Sequence, residues 1–219
     1  SHLYDKVGRY QVTVVAETGN DRDVLSFTHT VHHPLSPKKP VKSNQLVFVN
    51  NTVISANPDN HSITAVRYVK KKGLVKVWES RTDRHPRTLA LSPNKTLWVA
   101  NKDSATISIH SLTTGRMLKR IRLPRSSQPF GIIFSPDHSA AFVSLEGIGE
   151  VMKLSLMGKI LDSVKLGPRP RGLAMTGDSQ RLLVSRFISA DAQAEVYEVD
   201  PLAMSLRKTF ALPTDTKSR

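Results

Sequence analysis

Histidine, cysteine and carboxylate side chains are the groups that most often bind metals or act as nucleophiles, and this chain places them poorly for either task. Cysteine is absent, which excludes a thiol nucleophile, a disulfide framework and any zinc site with cysteine ligands. His32 and His33 are adjacent, so on a strand they would point to opposite faces and could not chelate one metal. The sequence also has no glycine-rich phosphate loop and no nucleophile elbow. We therefore predict no catalytic residue, no metal site and no cofactor.

Basic and aromatic residues are better candidates for chemistry, because three of them recur at a regular spacing. Arg87, Phe130 and Arg171 each follow a proline, and the steps between them are 43 and 41 residues. Equivalent residues of a repeat should point alike, so these three should share one face. The alternative is that they and their neighbours are ordinary solvated loop residues. The predicted ligand-binding set is His85, Arg87, Asn101, Lys102, Phe130, Glu146, Arg169, Arg171, Arg186 and Phe187.

The elements that must position these side chains follow from an internal repeat. The valines of three copies, Val99, Val143 and Val184, are separated by steps of 44 and 41 residues. A fourth, weaker copy lies upstream, where Asn57 precedes Asn101 by 44 residues. Repeats of this length are typical of stacked supersecondary units, each of which buries its apolar face only against its neighbours.

Each copy divides into four short, apolar and β-branched runs bounded by turn residues. In one copy the runs are residues 88–92, 96–100, 105–110 and 117–123. No segment keeps a helical periodicity over three turns, so helix should be nearly absent. Four strands in 40–45 residues predict a β-propeller blade, and the fold is predicted to be all-β: a partial propeller of about four four-stranded blades. In such a fold, the loops that carry the predicted site open on one face around the central axis.

These motifs resemble the YVTN β-propeller repeat, whose family includes YncE-like periplasmic proteins and surface-layer proteins. The likeness rests on residues 86–93 (PRTLALSP), 98–101 (WVAN) and 104–109 (SATISI). It covers about residues 44–212 and recurs in register, although the asparagine of WVAN is lost in the last two copies. The resemblance implies a seven-bladed propeller, of which this chain would be an arc, and a periplasmic, cell-surface or secreted bacterial protein.

The first 33 residues have a different pattern. Two alternating runs around residues 17–23 predict a β-hairpin, and residues 8–14 (GRYQVTV) resemble the last hairpin of a PKD-type immunoglobulin-like domain. A proline- and lysine-rich stretch follows, typical of a stiff basic linker. The predicted domains are therefore 1–33 (the end of a PKD-type domain), 34–43 (linker), blades at 44–83, 84–126, 127–166 and 167–212, and a polar tail at 213–219.

The net charge of +14 is concentrated in residues 34–126, which hold 18 basic and 4 acidic residues. Such a surface attracts anionic partners. We interpret much of the charge as protection of the outermost strand of each blade, where exposed cations would oppose sheet extension. These cations are expected to be exposed and mostly without acidic partners. They are Lys76, Lys119, Arg120, Arg122, Arg207 and Lys208.

Three classes of function remain open from the sequence. The first is a non-catalytic binding or scaffold module of a larger bacterial extracytoplasmic protein, which would bind a protein or an anionic ligand at the central face. The second is the propeller lobe of a larger oxidoreductase, because the resemblance extends to proteins with modules similar to di-haem cytochrome c peroxidase. The third is nucleic-acid binding, which is disfavoured because the cations lie mostly on outer strands and few aromatic residues are available for stacking. Open faces of the end blades could also drive self-association, and no apolar run is long enough to span a membrane.

Overall fold

The structure, a computed structural model, describes residues 3–6, 8–31, 39–188 and 193–213. Within those ranges it is all-β, with 19 strands and no helix. The chain divides into two compact units, Ser1–Pro37 and Lys38–Arg219. The predicted fold class, a partial propeller of four-stranded antiparallel sheets that follows an N-terminal hairpin, is confirmed.

The first unit is a two-stranded hairpin of β1 (Gly8–Thr18) and β2 (Asp21–Val31). The strands pair from Gly8 opposite Val31 to Thr18 opposite Asp21. A two-residue Gly-Asn loop joins them, and Gly19 has a φ of +58°, a conformation that favours glycine.

The second unit contains four antiparallel sheets whose strands follow one another in chain order from an inner to an outer strand. The first sheet has β4 (Leu46–Val49), β5 (Thr52–Asn57), β6 (Ser62–Val69) and β7 (Gly73–Arg81). The second has β8 (Pro86–Leu91), β9 (Thr96–Asn101), β10 (Thr106–Ser111) and β11 (Met117–Arg122). The third has β12 (Pro129–Phe134), β13 (Ala141–Leu145), β14 (Glu150–Leu154) and β15 (Ile160–Lys165). The fourth has β16 (Pro170–Met175), β17 (Leu182–Arg186), β18 (Gln193–Asp200) and β19 (Ser205–Pro213).

Apolar cores lie between successive sheets and join them into an arc. The second and third sheets bury Trp98 against Phe134, whose rings meet edge to face with centroids 5.1 Å apart. Burial of one such side chain contributes roughly 1.5–3 kcal/mol. The first core is built around Ile54, Ile63, Leu89 and Leu97, and the third around Phe142, Val151, Met175 and Leu182.

A short strand from the segment predicted as a linker lies along the inner edge of the sheets. β3 (Val41–Lys42) pairs with β16 and makes the fourth sheet five-stranded. Beyond it, Ser43 N donates to Leu173 O over 2.8 Å, and Asn44 O accepts from Leu89 N over 2.8 Å. The segment thus contacts the inner strands of the fourth and second sheets.

The outer-strand cations are exposed, as predicted, but the expectation that most would lack acidic partners is wrong for half of them. Arg120 makes two 2.6 Å hydrogen bonds to Asp83, and Lys76 lies 3.3 Å from Glu79. Arg207 pairs with Asp200. An exposed pair such as Lys76–Glu79 contributes about 0–1 kcal/mol, whereas Asp83 in the Arg120 pair is mostly buried. The sequence pattern alone does not reveal these acidic partners.

Candidate functional site

Three β-bulges hold the recurring site residues at the start of each inner strand. The register of β8, β12 and β16 is irregular at Pro86–Leu89, Pro129–Ile132 and Pro170–Leu173, and the residue after each proline lies in the bulge. Bulges redirect a side chain away from the regular alternation of a strand. They therefore present Arg87, Phe130 and Arg171 from three neighbouring sheets.

Hydroxyl groups tie these bulges to one another across the sheet junctions. Thr88 Oγ1 donates to Phe130 O over 2.5 Å and accepts from Ile132 N. Ser144 Oγ in the third sheet accepts from Gly131 N over 2.8 Å and donates to Arg171 O over 2.6 Å. Because a Cβ on Gly131 would lie 2.4 Å from Arg171 O, only glycine permits this approach. The backbone beneath the site is therefore held in place by two junctions.

The ring of Phe130 is close to the guanidinium groups of two arginines. The guanidinium carbon of Arg87 is 5.4 Å from the ring centroid, and that of Arg171 is 4.6 Å away. Arg171 also lies over Phe187, 3.1 Å from its centroid. Stacked guanidinium groups are attracted by the ring face and lose side-chain freedom before any ligand arrives. Phe130 and Phe187 thus orient two of the predicted cations.

Glu146 is the carboxylate at the centre of the cluster, and its side chain is only 1% exposed. Its Oε2 lies 3.0 Å from Lys102 Nζ, and its Oε1 lies 3.0 Å from Arg171 Nη2 and 3.4 Å from Arg169 Nη1. Burial by itself would raise the pKa of Glu146, but the hydrogen bonds and charges of Arg171 and Lys102 outweigh it and hold the pKa below its ordinary value. Glu146 is therefore ionised at neutral pH.

Arg87 is the cation of this group that no carboxylate neutralises among the described residues. Its Nε is buried and has no hydrogen-bond partner there, and its contact is the face of Phe130. Lys102, Arg169 and Arg171 share the single charge of Glu146. The cluster of Arg87, Lys102, Phe130, Glu146, Arg169, Arg171 and Phe187, called here the arginine cluster, therefore has four cations and one anion.

The remaining predicted residues lie in other local networks. His85 Nδ1 is 3.1 Å from Asp103 Oδ2, and Arg186 Nη1 is 2.7 Å from Glu195 Oε2. Asn101 is fully buried and donates to Ser108 and Thr106 inside the second sheet. The structure thus brings seven of the ten predicted residues together, and Asn101 contributes to the sheet interior instead of the exposed face.

Sequence reasoning missed a polar network in the second sheet. Thr106 Oγ1 donates to Asp83 over 2.6 Å, and buried His110 bonds to Gly115 O through Nδ1 and to Ser108 Oγ through Nε2. Burial lowers the pKa of His110, partly offset by the Gly115 carbonyl, so the ring is neutral at pH 7. The sequence does contain a signal for part of this network. Asn57 and Asn101 are each followed by hydroxyl residues five and seven positions later, and in the first sheet these are Ser62 and Thr64, which accept from Asn57.

A cleft of about 720 Å³ adjoins the arginine cluster and is lined in part by Gln128, Glu146, Lys165 and Arg169. Across the described part of the chain, no three histidine, cysteine or carboxylate residues are grouped so as to hold a metal. The described residues also form no helix long and apolar enough to cross a membrane.

Comparisons with solved structures show the β-propeller fold. Hydrazine synthase of Kuenenia stuttgartiensis is similar with a TM-score of 0.65 and 20% identity, over 74% of this chain and 46% of that one. A 6-phosphogluconolactonase-like protein of Bacteroides fragilis has a TM-score of 0.64 and 16% identity, over 77% and 56%. Virginiamycin B lyase of Staphylococcus aureus has a TM-score of 0.59 and 14% identity, over 89% and 61%.

These neighbours have varied activities, so their likeness establishes the architecture and not the reaction. The chain spans about half to three fifths of the length of the solved chains it matches. No family model matches the sequence, and no curated protein matches it either.

Proposed function

We propose that this chain is a non-catalytic binding module that receives an acidic segment of a partner protein at the arginine cluster. The observation that carries the proposal is the state of Arg87, whose guanidinium is oriented by Phe130 and has no carboxylate partner among the described residues. A planar guanidinium can bind a carboxylate through two parallel hydrogen bonds. Arg87 therefore supplies a specific contact in addition to general positive charge.

The surroundings of Arg87 support the same proposal. The guanidinium carbon of Arg171 lies 4.6 Å from the centroid of the same Phe130 ring, and Arg169 has a side chain that is half exposed. Because Glu146 neutralises one of the cluster's four cations, three positive charges remain to attract an anion. Orientation by stacking reduces the entropy that binding would otherwise lose.

We further propose that the module is part of a larger bacterial extracytoplasmic protein of the YVTN type. The supports are the in-register repeat motifs and the chain's partial coverage of the propellers that it resembles. The hairpin of the first unit is compatible with a preceding PKD-type domain, because its apolar residues Val12, Val14, Leu25 and Phe27 pair across the strands and so share one face.

A second proposal is that the module is a lobe of a larger enzyme, and its support is the likeness to hydrazine synthase. Haem staining of the longer protein, together with a search of its reading frame for Cys-x-x-Cys-His, tests that alternative. Nucleic-acid binding is less well supported, because Arg120, Lys76 and Arg207 already pair with carboxylates.

The binding proposal is tested by fluorescence anisotropy with a labelled decaglutamate peptide at about 0.15 M salt, near the physiological ionic strength. Loss of a hydrogen bond between charged groups costs about 1.5–3 kcal/mol, so Arg87→Ala should weaken binding by roughly 10- to 100-fold. Arg122→Ala removes the same charge from an outer strand and should change affinity by less than about twofold. Equal losses for both variants would contradict a defined site.

A 16-base-pair DNA duplex serves as the competing probe. Tight duplex binding that is lost when the outer-strand cations are neutralised, and kept in Arg87→Ala, would favour the nucleic-acid alternative instead.

A further inference from the structure

The cleft beside the arginine cluster lies where two loops lead into inner strands. The loop before β12 contributes Ser126 and Gln128 to the lining, and the connection from β15 to β16 contributes Lys165 and Arg169. The cleft has a volume of about 720 Å³, which lies within the range of about 300–1,000 Å³ that is typical of ligand sites. It is therefore large enough to receive a segment of a ligand.

The turn between β13 and β14 is hydrogen-bonded to the loop on each side of it. On one side, Glu146 N donates to Gln128 O over 3.1 Å. On the other side, Gly149 O accepts from Leu166 N over 2.9 Å. These backbone contacts hold the walls of the cleft in place, so the cleft is formed before any ligand binds.

The charged groups that line the cleft favour an anion. The Arg169 side chain is half exposed and lies 3.4 Å from Glu146 Oε1, a longer contact than the 3.0 Å of Arg171 to the same oxygen. Lys165 is exposed and makes no ion pair in the described part of the chain, although Glu150 lies opposite it on β14. The only carboxylate of the lining is that of Glu146, which three cations already share. The cleft therefore presents two exposed cations.

A backbone donor beside these cations also has no partner. His85 and Arg169 both precede the proline of an inner strand, and His85 N donates to His61 Nδ1 over 3.1 Å. Gly149 is the equivalent of His61, because each has a positive φ and precedes the third strand of its sheet. Since Gly149 has no side chain, Arg169 N has no acceptor within the described ranges. A bound anion would supply one.

We propose that the acidic segment bound at the arginine cluster continues into this cleft, where Arg169 and Lys165 bind a second carboxylate of the same segment. The inference rests on the function proposed above and specifies its ligand as a segment with at least two acidic residues. Arg169 connects the two positions, since it lines the cleft and contacts Glu146 of the arginine cluster. Two linked contacts strengthen binding, because the second one forms within an existing complex.

The affinity test compares two cations at equivalent positions of neighbouring sheets. Lys165 lies opposite the first residue of β14, and Arg122 lies opposite the first residue of β10. Lys165→Ala should weaken the binding of labelled decaglutamate by about three- to fivefold, the range expected for one contact between exposed charges. Arg122→Ala removes the same charge away from the cleft and should weaken binding by less than about twofold.

The absence of cysteine allows the cleft to be probed directly. Ser126→Cys places a single thiol at an exposed position of the lining, and Ser139→Cys places one in the exposed turn at the other end of the third sheet. Saturating decaglutamate should slow the alkylation of the Ser126→Cys thiol by iodoacetamide at least about fivefold, because alkylation requires an accessible thiolate. The rate for Ser139→Cys should not change.

The outcomes separate this inference from the proposed function. If Arg87→Ala weakens binding but the Ser126→Cys thiol is not protected and Lys165→Ala behaves like Arg122→Ala, the cleft proposal is overturned and the arginine cluster remains the site. If the Ser126→Cys thiol is protected but Arg87→Ala binds as tightly as the wild type, the function assigned to Arg87 is wrong and the cleft is the anion site. Equal protection of both thiols would contradict both proposals.

Discussion

The hydroxyl of Ser144 donates a 2.6 Å hydrogen bond to the carbonyl of Arg171, and it joins the third sheet to the strand that carries a central cation of the arginine cluster. Two residues farther along the chain, Glu146 pairs with the side chain of Arg171. One segment of the third sheet therefore holds both the backbone and the guanidinium of Arg171. Packing between sheets and the geometry of the site depend on the same few contacts.

Ser144→Ala should destabilise the second unit by about 1–3 kcal/mol, because it leaves both Gly131 N and Arg171 O without the hydroxyl that satisfies them. Urea unfolding followed by tryptophan fluorescence measures the change. The control is Ser163→Ala, at an exposed position of β15, which should alter the free energy of unfolding by less than about 0.5 kcal/mol. Similar effects from both substitutions would show that the junction has no special role.

Glu146→Gln removes the buried charge that three cations share. We expect a loss of about 1–3 kcal/mol in stability, since Lys102 and Arg171 remain close together with only a neutral amide between them. The pKa of Glu146 is lower in the folded protein than its ordinary value of 4.5. The stabilisation from its ionised carboxylate is therefore fully present above pH 4.5, and it is lost as the pH falls through the folded-state pKa.

Acid unfolding curves of the Glu146→Gln variant test this prediction. The control is Glu150→Gln, which removes a carboxylate from β14. The Glu146→Gln variant should lose less stability than the wild type on acidification below pH 4.5. It should also bind decaglutamate more tightly, because the cluster has lost its only carboxylate. An acid unfolding curve identical to that of the wild type, together with weaker peptide binding, would contradict the role assigned to Glu146.

His110 should make stability depend on pH near neutrality. The folded-state pKa is lowered by burial, so below the ordinary value of 6.5 the unfolded chain takes up a proton that the folded chain does not. The free energy of unfolding should therefore decrease as the pH is lowered from 7.5 to 5.5, and His110→Gln should make this decrease smaller. His138→Gln, at an exposed turn, is the control and should retain it. A wild type equally stable at both pH values would refute the prediction.

The recurrence of prolines and valines was enough to predict four sheets and the shared face of Arg87, Phe130 and Arg171. Those three residues occupy equivalent bulges, so a repeat in sequence becomes a repeat in space. Asn101 also recurs, with Asn57, but it ends a central strand and its amide turns into the sheet. Loop position alone could not distinguish a side chain that points outward from one that satisfies its own sheet.

Ion pairs were harder to predict from the sequence than the sheets. Arg120 and Asp83 are 37 residues apart, and Arg186 and Glu195 meet across two adjacent strands. Such contacts depend on strand register and side-chain reach, which a repeat pattern does not specify. The strand Val41–Lys42 is a similar case, because its partner in β16 is more than 130 residues away.

The most direct measurement of the central claim is a titration of the protein, labelled with ¹⁵N-arginine, with decaglutamate at about 0.15 M salt, observed through the Nε–Hε signals. We expect the signals of Arg87 and Arg171 to shift together and to saturate with one affinity, since both guanidinium groups stack on Phe130. Arg122 on the outer strand should not move. Shifts that are confined to outer-strand arginines, or that are spread evenly over all arginines without saturation, would contradict the account.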